Sequence, residues 1–338
     1  MEKVALITGI GGQDAAYLAK NLLEKGFKVI GTSRRSSADN LFRLKSLGIE
    51  NELEVLSADV QEYSRIQELV MNIKPTQFYN LAAQSFVADS FKSPIYTSLV
   101  NGTSVLNILE SIRLFSPETK FYQASTSEMF GKVNEVPQNE DTRFYPRSPY
   151  GVAKLYAHHI TINYRESYNL FACSGILFNH ESPLRGGDFV TKKIVSGLVE
   201  YLKNHEKVLE LGNLEAQRDW GFAGDYVEAM RLMLEQKEPD DFVICSGKTE
   251  SIRNFCEIVA KILGIDLSWQ GEGLNEIGID SKSSKTCIKV SKEHYRPAEV
   301  DLLLGDATKA KKVLNWSSSV DLDGLAQMMV DFELDKKK

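Results

Sequence analysis

Long apolar runs are missing from this chain, and so is any excess of positive charge. No stretch approaches the roughly 20 apolar residues needed to cross a bilayer, which argues against a membrane-embedded protein. The opening MEKVALITG passes from a short charged start straight into a strand pattern. It carries no apolar core followed by a small-residue cleavage site, so a cytoplasmic location is expected. Forty Lys and Arg residues stand against 46 Asp and Glu, a net charge of -6. A duplex-binding protein would show a dense basic stripe, so nucleic acid is not an expected partner, although a local basic pocket around phosphates stays compatible with the balance. Cysteine is scarce. Cys173, Cys245, Cys256 and Cys287 lie far apart with no C-x-x-C pair, which excludes an obvious disulfide framework or zinc site and leaves four reduced thiols. His158 and His159 are adjacent rather than at metal-ligand spacing; they read as packing or helix-surface residues, and no metal is implied. Internal repeats and low-complexity segments are also absent.

What remains is an ordinary globular composition, 43% hydrophobic and 25% charged, which leaves no room for a disordered or fibrous reading. A chain of 338 residues exceeds what one core usually organises. Short β-rich apolar runs alternate with amphipathic helical stretches, the pattern of parallel βαβ units. Strands are predicted at Val4 to Thr8, Phe27 to Thr32, Leu53 to Ser57, Gln77 to Ala82, Lys120 to Ala124 and Ala172 to Leu177. A helix is expected from Ala15 to Lys25, ending at Gly26, and another near Val190 to Asn204. Six such strands predict an α/β fold, a doubly wound parallel sheet of the Rossmann type, with a smaller mixed α/β C-terminal domain for the substrate. The division expected is 1–178 plus about 207–236 for the dinucleotide-binding domain, with 179–206 and 237–335 for the other.

The turn TGIGGQDA, Thr8 to Ala15, sits between the first strand and the first helix, where backbone N–H groups and a helix N-terminus meet a pyrophosphate. Gly9 permits the tight turn and Gly12 the close approach, while Ala15 takes the place of the usual third glycine. The second strand runs into Arg34 and Arg35 where an acidic residue would hold a ribose 2′-hydroxyl; a basic residue there suits a 2′-phosphate, hence NADP. Asp59 and Val60, with Leu81, Ala82, Gln84 and Ser85, follow the third and fourth strands at the edge where adenine and ribose would lie. Tyr150 and Lys154 stand one helical turn apart after Pro149. An ammonium beside a phenol favours the phenolate, which would make Tyr150 a general base.

These motifs resemble the extended short-chain dehydrogenase/reductase superfamily and, within it, the GDP-mannose 4,6-dehydratase family. The resemblance is carried by TGIGGQD, RRSS at 34–37, YNLAAQS at 79–85, KFYQASTSEMFGK at 120–132, FYPRSPYGVAKLYA at 144–157, GILFNHESP at 175–183, GNLEAQRDWG at 212–221 and YRPAEVDLLLGD at 295–306. It implies that Tyr150, assisted by Thr126 and Lys154, takes the proton of the sugar O4 while hydride leaves C4 for NADP. Glu128 then removes the C5 proton and helps expel the C6 hydroxyl as water, and the hydride returns to C6. By the same resemblance Gln13, Asp14, Tyr96, His180 and Arg185 lie against the cofactor. Ser85, Asn179, Lys193, Arg218, Arg296 and Glu299 would hold the GDP-sugar. The RRSS loop implies a homotetramer or homodimer.

Glu128 distinguishes elimination from 4-epimerisation, which needs Tyr and Lys but no base at C5. Phe86 and Leu184, where the family carries more polar residues, are expected to make the sugar edge less polar and keep two substrates open, GDP-mannose and a GDP-manno-heptose. A 4-epimerase or reductase of the superfamily, and a non-catalytic Rossmann sensor, are the alternative readings.

Overall fold

The computed structural model describes residues 2–36, 40–294 and 302–336. Seven parallel strands form its main sheet: β1 Val4–Thr8, β2 Lys28–Ser33, β3 Glu54–Ser57, β4 Gln77–Asn80, β5 Lys120–Thr126, β6 Ala172–Leu177 and β7 Phe242–Ile244. Their spatial order is β7-β6-β5-β4-β1-β2-β3. The order reverses between β1 and β4, and such a switch point opens a crevice at the carboxyl edge of the sheet.

Alternation along the strands decides which side chains meet which helices. Ala5, Ile7, Tyr79 and Tyr122 face one layer, where the helices Gln13–Glu24 and Ala223–Glu235 supply Leu18, Leu22, Val227 and Met230. Leu6, Phe78 and Phe121 face the other, against Leu69 of the helix Tyr63–Ile73, Ile108 of Ser104–Phe115 and Ala157 of Pro149–Tyr168. Burial on both faces explains why these strands read as near-continuous apolar runs. A separate core joins the helices Val190–Lys203, Ile252–Ile262 and Leu322–Asp335 to a four-stranded mixed sheet containing Leu209–Leu211, Leu267–Gln270, Ile277–Asp280 and Lys285–Val290.

The structure departs from the sequence reading at β7. Phe242–Ile244 pairs in parallel with Gly175–Leu177, so this part of the 237–335 segment belongs to the main sheet and not to the smaller body. Three residues are too few to show a period, and Val243 and Ile244 follow an acidic stretch that reads as a loop. Among the described residues, no helix is long and apolar enough to cross a membrane.

Candidate active site

A cleft of about 630 Å³ lies at the carboxyl edge of β1, β4, β5 and β6. Its entry is built by the turn after β1. Gly9 adopts φ +71, and a Cβ there would come within 2.8 Å of the Ala82 Cα, so the two strand ends approach only because the side chain is missing. Thr8 ties the same ends together. Its hydroxyl donates to Asn80 Oδ1 at 2.7 Å and accepts from the N–H groups of Leu81 and Ala82, both at 3.1 Å. Asn80 in turn donates to Gln123 on β5 at 2.8 Å.

Gly12 is the N-cap of the helix Gln13–Glu24, and no side chain caps it. The first-turn N–H groups therefore face the cleft with the positive end of the helix dipole, the arrangement that receives a phosphate. Basic side chains add to this field. Arg43 donates to the carbonyls of Gly11 at 2.7 Å and Leu184 at 2.8 Å, and burial together with the nearby Arg185 lowers its pKa. Arg34 also lines the cleft, with Nη1 donating to the Tyr96 hydroxyl at 2.7 Å.

His180 closes the wall opposite the turn. Its Nδ1 lies 2.7 Å from the Phe178 carbonyl and its Nε2 2.8 Å from Asp14 Oδ2. Both neighbours are acceptors, so the imidazolium form, donating from both ring nitrogens, is the one that satisfies them. Burial works against either charge; even so, His180 holds the Asp14 carboxyl at about 2, and Asp14 raises the histidine above its ordinary value. The linkage has two limbs. Asp14's contribution to stability is present above its ordinary value of 3.8 and is lost as pH falls towards 2. His180's is complete below 6.5 and fades as pH rises through its elevated value. His180→Gln is therefore expected to cost about 2 kcal/mol near pH 5–6, with the gap from the parent narrowing in alkali. Thermal denaturation of both proteins across pH checks it; a gap of constant size sinks the imidazolium assignment.

The reacting face comes from two neighbouring elements. Ser148 caps the helix Pro149–Tyr168 by accepting from the Gly151 N–H at 3.0 Å, and Pro149 occupies its first turn, where a missing N–H costs nothing. This fixes Tyr150 at the helix mouth, 8% exposed. At the end of β5 the Thr126 hydroxyl accepts from the Glu128 N–H at 3.3 Å, starting the short turn Ser127–Met129. A Cβ on Gly151 would stand 2.9 Å from the Glu128 carbonyl, so the glycine lets the turn carrying Glu128 dock against the helix carrying Tyr150. Thr126, Glu128, Tyr150 and Lys154 all line the cleft.

The electrostatics correct one expectation. Burial pushes the Tyr150 phenol up to about 12; the hydrogen bond with Thr126 opposes this and the Glu128 carboxylate adds to it. Lys154 aims its ammonium at the backbone instead. Its Nζ donates to the Ala124 carbonyl at 2.8 Å and sits 5.9 Å from the centre of the phenol ring, and burial lowers its own pKa to about 8. In this arrangement the phenol, not the phenolate, is the resting form.

Of the residues singled out from the sequence, the cleft gathers Gly9, Gly12, Gln13, Asp14, Arg34, Asp59, Val60, Leu81, Ala82, Gln84, Ser85, Tyr96, Asn179, His180 and Arg185 with the four reacting groups. Lys193 and Arg218 are not brought into it. Lys193 Nζ lies 3.0 Å from His294 Nε2, and Arg218, buried in the short strand Gln217–Arg218, donates to its neighbour's carbonyl at 2.8 Å. Arg296 and Glu299, and Ser37 of the RRSS loop, lie outside the described residues. Leu184 is 2% exposed and does not line the cleft. Phe86 packs edge-on against Phe189, which does, with ring centres 6.1 Å apart. The cleft wall residues missed from sequence include Arg43, Phe42, Asn40 and Phe189. No local pattern marks them, because Arg43 reaches Leu184 only through the fold.

The fold and the cleft define a Rossmann-type protein of the short-chain dehydrogenase/reductase class. In overall fold it is similar to UDP-glucose 4-epimerase of Thermotoga maritima, with a TM-score of 0.84 and 21% identity over 99% of this chain and 100% of that one. It is similar too to dTDP-glucose 4,6-dehydratase of Bacillus anthracis in complex with NAD, with a TM-score of 0.82 and 19% identity over 99% and 97%. Sequence narrows the class. The profile of GDP-mannose 4,6 dehydratase matches residues 6–329, and the chain belongs to that family. It is 48% identical to the GDP-mannose 4,6 dehydratase of Homo sapiens over 98% of this chain and 91% of that one. To the enzyme of the same name from Vibrio cholerae it is 47% identical over 98% and 93%.

Proposed function

We propose that this protein is an NADP-dependent GDP-mannose 4,6-dehydratase, and the observation that carries the reading is Glu128 docked through Gly151 against Tyr150. An epimerase has no use for a carboxylate there. The cleft fits a dinucleotide: a side-chain-free cradle at Gly9, an uncapped helix N-terminus at Gly12, and Arg34 at the end of β2 for a 2′-phosphate. Bound there, NADP would take hydride from the sugar C4 and later return it to C6.

The chain's own residues handle the protons. Tyr150, whose pKa the Thr126 hydroxyl lowers, receives the O4 proton in its ionised form; a phenol held near 12 needs added positive charge to ionise, which the oxidised nicotinamide would supply when bound. Lys154, fixed to Ala124, keeps an ammonium within the same helical turn. Once C4 is a ketone the C5–H is acidic, and Glu128 takes that proton and delivers one to the departing C6 hydroxyl, which leaves as water; when hydride returns to C6, C5 takes up a proton that balances the one removed from O4. The imidazolium of His180 neutralises Asp14 beside the phosphate turn, so a diphosphate meets no net negative wall. Asn179 and Ser85, on the sugar side, hold the substrate, with Arg185 supplying charge against the cofactor.

Incubation with GDP-mannose and NADP should yield a product lighter by one water; an unchanged mass, or a change only in configuration at C4, ends the reading. A GDP-manno-heptose run in parallel tests the second substrate. Arg34→Ala is expected to weaken NADP binding by about tenfold to a hundredfold and NAD binding by under about threefold. Titration with each nucleotide reads it, and equal losses would remove the 2′-phosphate assignment. A homo-oligomer and a cytoplasmic site of action complete the proposal.

A further inference from the structure

The helix Pro149–Tyr168 meets the end of β5 at three successive turns. Tyr150 lies within the influence of the Thr126 hydroxyl, which lowers its pKa, Lys154 donates to the Ala124 carbonyl, and His158 Nδ1 lies 3.2 Å from the Ser125 hydroxyl. Spacing of i, i+4 and i+8 keeps all three on one helix face. The third contact uses side chains on both partners, and both are nearly enclosed: His158 is 3% exposed and Ser125 3%. Phe144 packs edge-on against the imidazole, with ring centres 5.4 Å apart, and so blocks its rotation. Ser125 nevertheless lines the cleft beside Thr126. We propose that His158 is a positioning residue for the dehydration: by holding the Ser125 hydroxyl, it sets the strand end from which Thr126 and Glu128 project.

The chemistry of the pair suits that task. Burial, the main cause, lowers the imidazole to about 4, so the ring is neutral at neutral pH and offers a lone pair at one nitrogen. With Nδ1 as that nitrogen, Ser125 spends its proton on the histidine and cannot swing to compete for Thr126 or for the sugar hydroxyls. Without it, Ser125 is a free rotor one residue from the group that bonds Tyr150. Loss of such a brace changes the alignment of reacting atoms more than it changes how the nucleotide end of the substrate binds.

The inference rests on the dehydratase reading, and the parent protein's loss of water from GDP-mannose, measured first, tests that reading separately. Ser125→Ala and His158→Phe are each expected to lower kcat about tenfold with KM within about twofold. The double variant should be no slower than the slower single one, and His158→Gln, which keeps an acceptor, should recover most of the rate. Ser125→Ala removes one oxygen atom and decides the matter even if His158→Phe does not fold. A parent-like kcat for Ser125→Ala overturns the proposal, as do losses that multiply in the double variant or a His158→Gln protein no faster than His158→Phe.

Discussion

Glu128→Gln is expected to halt the reaction halfway, with turnover of GDP-mannose falling by about 10²–10⁴. The substitution keeps the shape of the side chain and the N–H that Thr126 accepts at 3.3 Å, so the turn Ser127–Met129 stays in place. Tyr150 and Lys154 are untouched. The first half of the reaction then proceeds: the sugar is oxidised at C4, and the near-ultraviolet absorbance of reduced nicotinamide rises and persists. Elimination stops because no group at that site can accept the C5 proton. Deuterium from solvent should enter C5 in the parent protein and not in the variant. Rapid-mixing absorbance and mass spectrometry of the recovered sugar measure the two effects. Full dehydratase activity in Glu128→Gln, or no reduced nicotinamide at any time, would remove Glu128 from its role.

Tyr150→Phe removes the other proton acceptor, and here the loss should come before any hydride moves. The expected fall in kcat is about 10³-fold, within the range for a positioned acid or base, and no reduced nicotinamide should form. The ring stays in its buried site, so folding is preserved. The parent's rate should also rise with pH. Burial holds the phenol near 12, while Lys154 near 8 still carries charge at neutrality, and bound cationic cofactor shifts the balance towards the phenolate. Addition of hydroxide therefore helps until Lys154 loses its proton. A Tyr150→Phe protein that still forms reduced nicotinamide at the parent's rate would make Thr126 or water the acceptor and displace the phenol.

Much of this was legible before any coordinates. The strands Val4–Thr8 and Ala172–Leu177 match their sequence bounds, and the helix expected at Val190 to Asn204 spans Val190–Lys203. The Tyr150–Lys154 pair needed only Pro149 and a count of four. What failed to show were contacts between segments far apart in sequence. Phe242–Ile244 becomes a strand because β6 offers it an unpaired edge, and Arg43 meets the cleft through the Leu184 carbonyl.

The sequence by itself determined the periodicities, the phosphate turn and the choice of the four side chains proposed to react, since those follow from local spacing and residue chemistry. Tertiary structure alone decided their charge states and their aim. Lys154 points its ammonium at a backbone carbonyl instead of the phenol, and His180 is an imidazolium because two acceptors converge on it. The turn carrying Glu128 docks on the helix carrying Tyr150 because a glycine leaves room for one carbonyl. Solvation and long-range packing set such properties, and neither is written in the spacing of residues along a chain.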